Sequence, residues 1–308
     1  MTSQKASRVI DRFELLLALA KERHFGRAAE SCGVTQPTLS AGLKQLEEQL
    51  GVRLVERGSR FIGFTPEGER ALQWARRVIG DVRAMRQEIA GMRKGLSGHL
   101  RIAAIPTAMP MLSELTTPFH AKHADVRFTL ISASSNEVLR LIENLEADAG
   151  ITYLDNDPLG RLKTVPLYKE GYRFLTSVGA PLGDRTTVTW EDVAQVPLCL
   201  LTPDMQNRRI VDKQLAEAGH AKIVPMLEAN STIALLSHVR TGKWASVVAN
   251  TLADVFAFPA NIRSLPIEGP EVLHQMGLVV LDREPMTPIV TALLAEARAV
   301  APGLTERI

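Results

Sequence analysis

Apolar residues in the first fifty positions recur at helical spacing, interrupted by one tight turn. The pattern predicts a first helix over residues 11–22, with an apolar face made of Phe13, Leu16, Leu17 and Ala20. A second, short helix carries Ala28 and Ala29, small residues that let a crossing helix approach closely. Gly33 supplies the backbone freedom that a tight turn between helices needs. Together these features predict a helix-turn-helix.

The third predicted helix begins after Thr35, a residue type favoured at N-caps, and has Pro37 in its first turn. Leucines spaced by four, three and four predict its buried face: Leu39, Leu43, Leu46 and Leu50. The opposite face carries short groups and one cation, a combination that suits a DNA major groove. The predicted DNA-binding residues on this helix are Thr35, Gln36, Pro37, Thr38, Ser40 and Lys44. The plainer alternative is a helical hairpin whose polar face is only solvated.

A two-stranded wing is predicted over residues 52–64, with its turn at Gly58 and Ser59. Arg57 and Arg60 flank that turn, and arginines in such positions contact phosphate or a narrow minor groove. We therefore add both to the predicted DNA-binding residues. A solvated, charged hairpin is the competing interpretation, chiefly for Arg60.

Residues 66–94 predict one long helix. Its apolar positions step by four and three without interruption, at Ala71, Ala75, Val78, Val82, Met85, Ile89 and Met92. This heptad seam predicts a coiled-coil dimerisation helix, in which the small Ala71 and Ala75 would allow a partner helix to approach closely. Two glycines then break the helix and predict a hinge over residues 95–98.

From residue 99 onward, short apolar segments alternate with amphipathic helical patterns. The predicted strands cover residues 100–105, 126–132, 149–152, 172–177, 198–201, 246–249 and 275–281. Such alternation predicts α/β units around largely parallel sheets.

The run AAESCGVTQPTLSAGLKQLEEQLGVRLVER resembles the winged helix-turn-helix of LysR-type transcriptional regulators. It carries the paired alanines, Gln-Pro-x-x-Ser, Leu-Glu-x-x-Leu-Gly and a terminal Leu-x-x-Arg. Two residues depart from the family pattern. Val55 stands in place of the usual phenylalanine, and Gly42 lies inside the recognition helix, where glycine costs roughly 1 kcal/mol relative to alanine. Within that family, the stretches HVRTGKWASVV and MQNRRI resemble regulators associated with formate dehydrogenase operons.

The resemblance implies a multidomain α+β fold whose C-terminal part is a two-lobed α/β effector domain like a type 2 periplasmic binding protein. The implied parts are a winged helix-turn-helix at 1–65, a linker helix at 66–94, a hinge at 95–98, lobe I at 99–170 and 274–301, and lobe II at 171–273. It also implies a homodimer or homotetramer on a palindromic double-stranded DNA operator, in contact with RNA polymerase.

Open α/β lobes bind ligands at the carboxyl ends of their strands, so the loops after the predicted strands are the candidate effector site. Helix N-termini and hydroxyls there favour a small organic anion. The predicted effector-binding residues are Thr107, Ala108, Ser134, Ser135, Thr202, Gln206, Arg208 and Asn250. Thr107 and Thr202 match positions that line the family's effector cleft. The alternative for each hydroxyl is an ordinary N-cap, and for the arginine a solvated surface position.

Charge is divided unevenly along the chain. Residues 1–94 hold 17 Lys and Arg against 11 Asp and Glu, whereas residues 95–308 hold 19 against 23. We expect the basic part to face DNA, where phosphate contacts would make affinity salt-dependent. The two cysteines, Cys32 and Cys199, fall in different predicted domains, so a structural disulfide is not expected. A redox role for Cys199 would lack a second cysteine in its domain.

Several classes of protein find no support in the sequence. It has no run of eighteen apolar residues and no apolar stretch at its N-terminus, so we expect a cytoplasmic, nucleoid-associated protein without membrane contact. It contains no GxSxG, HExxH, P-loop or GxGxxG motif, and its histidines lack metal-ligand spacing. We therefore expect no catalytic residue, metal or cofactor apart from the effector. An α/β enzyme and a DNA-bridging architectural protein without an effector are the alternatives.

Overall fold

A computed structural model of the chain describes residues 3–57, 61–155, 160–220, 223–255, 258–269 and 272–305. The backbone divides into two compact units, residues 1–92 and 93–308. The first unit is built from α1 (Ser3–Glu22), α2 (Phe25–Ser31), α3 (Gln36–Leu50), β1 (Val55–Arg57), β2 (Phe61–Phe64) and most of α4 (Pro66–Lys94). Helices α1, α2 and α3 pack on one another, and β1 and β2 form the antiparallel wing.

The core of the first unit is formed by leucines and alanines at helical spacing. Leu39, Leu43 and Leu46 are buried as predicted. Leu50 is 48% exposed, so the prediction that it completes the buried stripe is wrong. It is the last residue of α3, and Gly51 ends the helix there with a left-handed φ of 71°.

Gly42 lies inside α3, against the side chain of Leu15. A Cβ atom added at Gly42 would lie 2.6 Å from Leu15 Cδ1 on α1, closer than carbon atoms approach without a shift. Because Cδ1 is the end of the flexible Leu15 side chain, a small side chain at this position would require only Leu15 to move. Gly33, in the turn between α2 and α3, has the positive φ of 66° that the turn requires.

Helix α4 begins after Thr65, whose hydroxyl accepts a hydrogen bond from the Gly68 backbone N–H at 2.9 Å. Ala75 is buried in the core of the first unit and Ala71 packs against that core. The prediction that Ala75 faces a partner helix is therefore wrong, because Ala75 covers the winged helix-turn-helix of its own chain, whereas for Ala71, which is partly exposed, it stays a prediction. Among the described side chains of α4, the large apolar ones that are exposed are Trp74, Met85 and Ile89, at 52%, 52% and 55% exposure.

The second unit contains two groups of strands. The first group comprises β3 (Gly98–Ala104), β4 (Val126–Ser132), β5 (Ala149–Tyr153), β6 (Leu162–Glu170) and β13 (His274–Leu281). The second comprises β7 (Tyr172–Ser177), β8 (Val188–Thr189), β9 (Cys199–Leu201), β10 (Leu227–Ala229), β11 (Ser246–Ala249) and β12 (Ile262–Glu268). The first group and the helices that cover it form what we call the first lobe, and the second group forms the second lobe.

The helices of the second unit follow the strands. They are α5 (Leu112–Lys122), preceded by a 3-10 turn at Met109–Met111, then α6 (Ser135–Glu143), α7 (Trp190–Ala194), α8 (Gln206–Glu217), α9 (Thr232–Val239), α10 (Asn250–Val255) and α11 (Pro288–Thr305). Among the helices of the described ranges, none combines the length and the hydropathy that crossing a membrane requires.

Both lobes contain mixed sheets, which corrects the prediction of largely parallel ones. The first lobe has the strand order β4-β3-β5-β13-β6, with β3 parallel to β4 and β5 but β13 antiparallel to β5 and β6. In the second lobe, β7 lies antiparallel to β11 and β12. In the first lobe the antiparallel strand is β13, which returns after the chain has passed through the second lobe and runs against the strands that it joins.

We expect the leucines of α3 to differ sharply in their contribution to stability. Leu43→Ala removes a buried side chain and should lower the free energy of unfolding of the first unit by about 2–5 kcal/mol. Leu50→Ala, the same substitution on the same helix, should change it by less than about 1 kcal/mol, because Leu50 is largely exposed. Denaturant-dependent hydrogen exchange of peptides from the first unit, measured on the full chain, checks both values. Equal losses would contradict this assignment of the core.

Candidate functional site

The polar face of α3 is presented by the packing of its leucines. Gln36, Pro37, Thr38 and Lys44 are exposed on it, whereas Ser40 is half-buried. Thr35 caps the helix, since its Oγ1 accepts a hydrogen bond from the Thr38 backbone N–H at 3.4 Å and lies 2.9 Å from Thr38 Oγ1. The Thr35 hydroxyl is thus engaged within the helix, and the exposed surface is formed by its neighbours.

The predicted cations lie in different settings. Lys44 Nζ lies 3.8 Å from Glu48 Oε1, one turn further along α3, and both side chains are exposed. The backbone of Arg57 ends β1, beside Phe61 of β2. Arg60 lies outside the described residues.

A small cavity of about 10 Å³ lies between the two lobes of the second unit. That volume is close to the room that one water molecule needs. The first lobe contributes the loop after β3, the start of α6 and the end of β5, and the second lobe contributes the end of β9 and the start of α8. The lining residues are Ile105, Pro106, Thr107, Ser135, Tyr153, Leu201, Met205, Gln206 and Asn207.

Three of these lining residues are buried and carry polar atoms without a hydrogen-bond partner among the described residues: Thr107 Oγ1, Ser135 Oγ and Asn207 Nδ2. An unsatisfied buried polar group costs about 1–3 kcal/mol. Three such groups around one small space are unusual in a core that is only structural. Their hydroxyl and amide groups are therefore available to form hydrogen bonds within this space.

The structure brings only part of the predicted effector set to this cavity. Thr107, Ser135 and Gln206 line it. Thr202 Oγ1 is buried and without a partner among the described residues, but Thr202 is not among the lining residues. Ser134 is the N-cap of α6 without a capping hydrogen bond, and Ala108 is buried before the 3-10 turn. Neither residue reaches the cavity.

Arg208 and Asn250 are engaged in other contacts, so we leave both out of the candidate site. The Arg208 guanidinium is buried, donating to Asp212 Oδ1 and Glu228 Oε1 at 2.7 Å each, and it borders a separate cavity of about 350 Å³. Asn250 Oδ1 accepts from the backbone N–H of Gly171 at 3.0 Å and from its neighbour Thr251 at 2.9 Å. That contact holds two crossing segments of backbone together.

Sequence reasoning did not identify Tyr153 and Asn207 as site residues. Tyr153 ends β5, one residue beyond the predicted end of that strand, and its place at a carboxyl edge was the available signal. Asn207 lies in the first turn of α8, between two residues that were predicted.

A buried polar cluster adjoins the cavity through Tyr153. The Tyr153 hydroxyl donates to Glu170 Oε1 at 2.5 Å and lies 3.5 Å from the Tyr172 hydroxyl oxygen. Glu170 is completely buried, and its Oε2 has no hydrogen-bond partner within the described part of the chain. Nothing in the sequence pattern singled out Glu170, because a charged residue at a strand end is ordinarily exposed.

Burial raises the pKa of the Glu170 carboxyl to about 7. The hydrogen bond from Tyr153 lowers this pKa, and the hydroxyl of Thr107 has the same, smaller effect. Burial likewise raises the pKa of the Tyr153 hydroxyl well above its usual value, so Tyr153 remains a donor. The carboxyl therefore divides between its neutral and charged forms near neutral pH.

Neither cysteine lies in a setting that activates a thiol. Cys199 is buried in β9, and burial raises its pKa to about 11. Burial also raises the pKa of Cys32, which is half-buried at the end of α2. Within the described ranges, no group of three or more His, Cys, Asp or Glu residues is arranged to hold a metal ion.

Comparison with known protein families identifies the family to which the chain belongs. Residues 10–69 match the family described as bacterial regulatory helix-turn-helix protein, lysR family, and residues 93–302 match the LysR substrate binding domain. The second match alone covers more than half of the chain. The chain belongs to the LysR family. It is a DNA-binding transcriptional regulator with an effector-binding domain, and the enzyme alternative is set aside.

Individual LysR-family relatives match over different lengths. The hydrogen peroxide-inducible genes activator of Pectobacterium carotovorum subsp. carotovorum is 33% identical over 189 residues, which span 61% of this chain and 62% of that protein. The DNA-binding transcriptional dual regulator OxyR of Escherichia coli K12 is 30% identical over 301 residues, 96% of each chain. A solved full-length OxyR variant from Pseudomonas aeruginosa has a TM-score of 0.73 and 26% identity, covering 95% of this chain and 96% of that one.

We expect Cys199 to react slowly in the folded protein. A thiol with a pKa of about 11 is almost entirely protonated at neutral pH, and only the thiolate is nucleophilic. Maleimide labelling followed by peptide mass spectrometry should show Cys199 unmodified in the native chain and labelled after denaturation. Rapid labelling of native Cys199 would contradict the burial described here.

Proposed function

We propose that this regulator reads DNA with the polar face of α3 and is controlled by a small anion bound in the cavity between its lobes. The observation that carries the second part is the set of buried, unpartnered donors on Thr107, Ser135 and Asn207. The first part rests on the exposure of Gln36, Thr38 and Lys44 on a helix whose other face forms the core.

In this proposal the DNA contacts divide into two kinds. Gln36 contacts base edges in the major groove, where its amide can both donate and accept. Lys44 and Arg57 contact phosphates, which fixes the position of the helix without reading sequence. Thr35 keeps its capping role and supports the exposed residues at the start of α3.

We further propose that two copies of the chain pair along the exposed face of α4. Trp74, Met85 and Ile89 lie within about one stripe of that helix, since eleven and four residues are close to whole numbers of turns. The length of α4, 29 residues, gives room for a parallel or antiparallel coiled contact. Pairing would place two recognition helices on a palindromic operator, and further association of effector domains would give the tetramer.

The effector is a small carboxylate. Asn207 Nδ2 is a donor only, and α6 and α8 both begin at the cavity, so backbone N–H groups and positive helix ends face the same space. A cavity of about 10 Å³ admits a one-carbon carboxylate after small adjustments. A larger ligand would require the lobes to separate.

A direct response to hydrogen peroxide, suggested by the names of the relatives, is the second candidate. Peroxide-sensing thiols are accessible, have a lowered pKa and lie near a second cysteine. Cys199 is buried with a raised pKa and is the only cysteine of the second unit. This setting favours a non-covalent effector over oxidation of a thiol.

In our mechanism, the anion favours the closed arrangement of the two lobes, and that arrangement changes how effector domains associate. A change in the angle between paired copies would alter the bend of the operator DNA and the access of RNA polymerase. The direction of the response, activation or repression, follows from operator position.

Substitutions on α3 should separate the two kinds of DNA contact. The DNA for this test is double-stranded and is selected from a random pool by the wild-type protein. Lys44→Ala should weaken binding to all of the selected fragments. It should also reduce the slope of the logarithm of the binding constant against the logarithm of salt concentration by about one for each α3 helix on the DNA. Gln36→Ala should relax discrimination at individual bases by about 1–3 kcal/mol. Fluorescence anisotropy at several salt concentrations measures both effects.

Lys213→Ala is the matched control, because Lys213 is an exposed lysine paired with Glu217 one turn further along α8, at 3.7 Å. It should leave DNA affinity unchanged. An equal loss with Lys213→Ala, or unchanged base preferences with Gln36→Ala, would refute the proposed reading surface.

Removing one donor should weaken the anion response without affecting basal DNA binding. Thr107→Val keeps the shape of the side chain and deletes the hydroxyl, so the Kd for formate should rise about ten- to a hundredfold, the range for a lost hydrogen bond to a charged group. Calorimetric titration of the full chain with formate, acetate, benzoate and hydrogen peroxide checks this value and the expected preference for the smallest carboxylate.

Thr152→Val controls for the loss of a buried hydroxyl. Thr152 is buried with an unpartnered Oγ1, next to Tyr153, yet it does not line the cavity. It should bind formate like the wild type. A protein that responds to peroxide and to no carboxylate would overturn the proposed effector class.

A further inference from the structure

The cluster of Glu170, Tyr153 and Thr107 gives the cavity a second property. Tyr153 and Thr107 both line the cavity, and both interact with the buried Glu170 carboxyl. The Tyr153 and Thr107 hydroxyls thus lie between the Glu170 carboxyl and a ligand bound in the cavity. A charged Glu170 carboxylate would repel an anion in the cavity. It would also draw the hydrogens of both hydroxyls toward itself, and therefore away from that anion.

We propose that the cavity takes up a small carboxylate together with one proton, which is held on Glu170. This inference rests on the proposed effector site and adds a residue and a rule of specificity to it. The ligand enters as its anion, the proton comes from solvent, and no covalent bond to the ligand forms or breaks. The net result is that the site takes up one carboxylate anion and one proton, so its total charge does not change.

The hydrogen-bond geometry supports this coupling. When Glu170 is charged, Oε1 accepts from Tyr153, and Oε2 has no well-formed hydrogen bond within the described residues, although the Thr107 hydroxyl is its neighbour. When Glu170 is neutral, its own O–H can donate to Thr107 Oγ1. The Thr107 hydrogen is then free to point into the cavity, where an anion accepts it. A proton on Glu170 therefore both removes the repulsion and turns a donor toward the ligand.

The surroundings of Glu170 contain little that would stabilise its charge. The titratable groups that interact with it are the hydroxyls of Tyr153, Tyr168 and Tyr172, from β5, β6 and β7. No cation among the described residues appears in this set. Burial places the pKa of the carboxyl at about 7, so the proton is exchanged in the neutral range. An anion bound nearby would raise that pKa further.

His274 is the rival site at which the proton could be held. Its ring packs edge-on against Tyr153 and Tyr172, with centroids 5.8 and 6.3 Å away, and its Nδ1 lies 3.1 Å from Asp155 Oδ2. It does not line the cavity. The experiment must therefore distinguish Glu170 from His274.

The test is calorimetric titration of the full chain with formate between pH 6 and pH 8.5. Because the free site must first gain a proton, the Kd should rise about tenfold from pH 6 to pH 8. At pH 8, titrations in two buffers of different ionisation enthalpy should show uptake of close to one proton per formate bound. Formate itself stays ionised throughout, since ordinary carboxyl pKa values lie near 4.

Glu170→Gln should remove the pH dependence and the proton uptake while keeping the low-pH Kd of the wild type. A glutamine amide can accept from Tyr153 and donate to Thr107, as the neutral carboxyl does. His274→Gln should retain the wild-type pH dependence. Glu296→Gln should do so too, since Glu296 is a buried glutamate paired with Lys122 on another part of the lobe, at 2.6 Å.

The outcomes separate the two proposals. Formate binding with no proton uptake in the wild-type protein, or loss of the pH dependence in His274→Gln alone, would overturn the role of Glu170 and leave the effector site standing. Absence of carboxylate binding at every pH, in a chain that still binds DNA, would overturn the effector site itself. The buffer comparison uses the wild-type protein, so it does not depend on the folding of any variant.

Discussion

The return of β13 to the first lobe is the constraint on which the effector unit depends. This strand lies between β5 and β6 and pairs antiparallel with both, although it follows them by more than a hundred residues. Because β13 follows the second lobe in the chain, its insertion returns the chain from that lobe to the first. It also places β5 and β6 on either side of one shared neighbour. Tyr153 and Glu170, at the ends of those strands, are thereby placed in contact. The cavity and the carboxyl beside it both follow from this one strand.

Burial gives the polar residues of the second unit their character. Arg208 and Glu170 are both buried ionisable groups, but Arg208 has two carboxylate partners, whereas Glu170 has only hydroxyls. The two carboxylates compensate the charge of Arg208, which makes this residue structural. Hydroxyls do not compensate the charge of Glu170, so Glu170 can change its protonation state. The same reasoning applies to Cys199, because burial raises the pKa of its thiol and keeps it protonated near neutral pH.

The first unit shows how one helix can serve two surfaces. The start of α4 covers the winged helix-turn-helix through Leu72 and Ala75, and its exposed apolar residues lie on another side. On α3, the leucine face and the polar face are separated in the same way, and Gly42 lies against Leu15 of α1. In both helices, internal packing decides which face remains for a partner.

Local sequence pattern determined the family and many of the elements, but it did not predict the strands β6, β8, β10 and β12. The helix-turn-helix, its Thr35 cap, the long helix after Thr65 and the strand at Val126–Ser132 follow from spacing and capping, which act over a few residues. Only the tertiary structure decided the mixed sheets and the burial of Ala75. It also decided that Arg208 pairs with carboxylates away from the cavity and that Tyr153 hydrogen-bonds to Glu170. These depend on contacts between residues far apart in the chain, and the desolvation that shifts a pKa exists only once those contacts have formed.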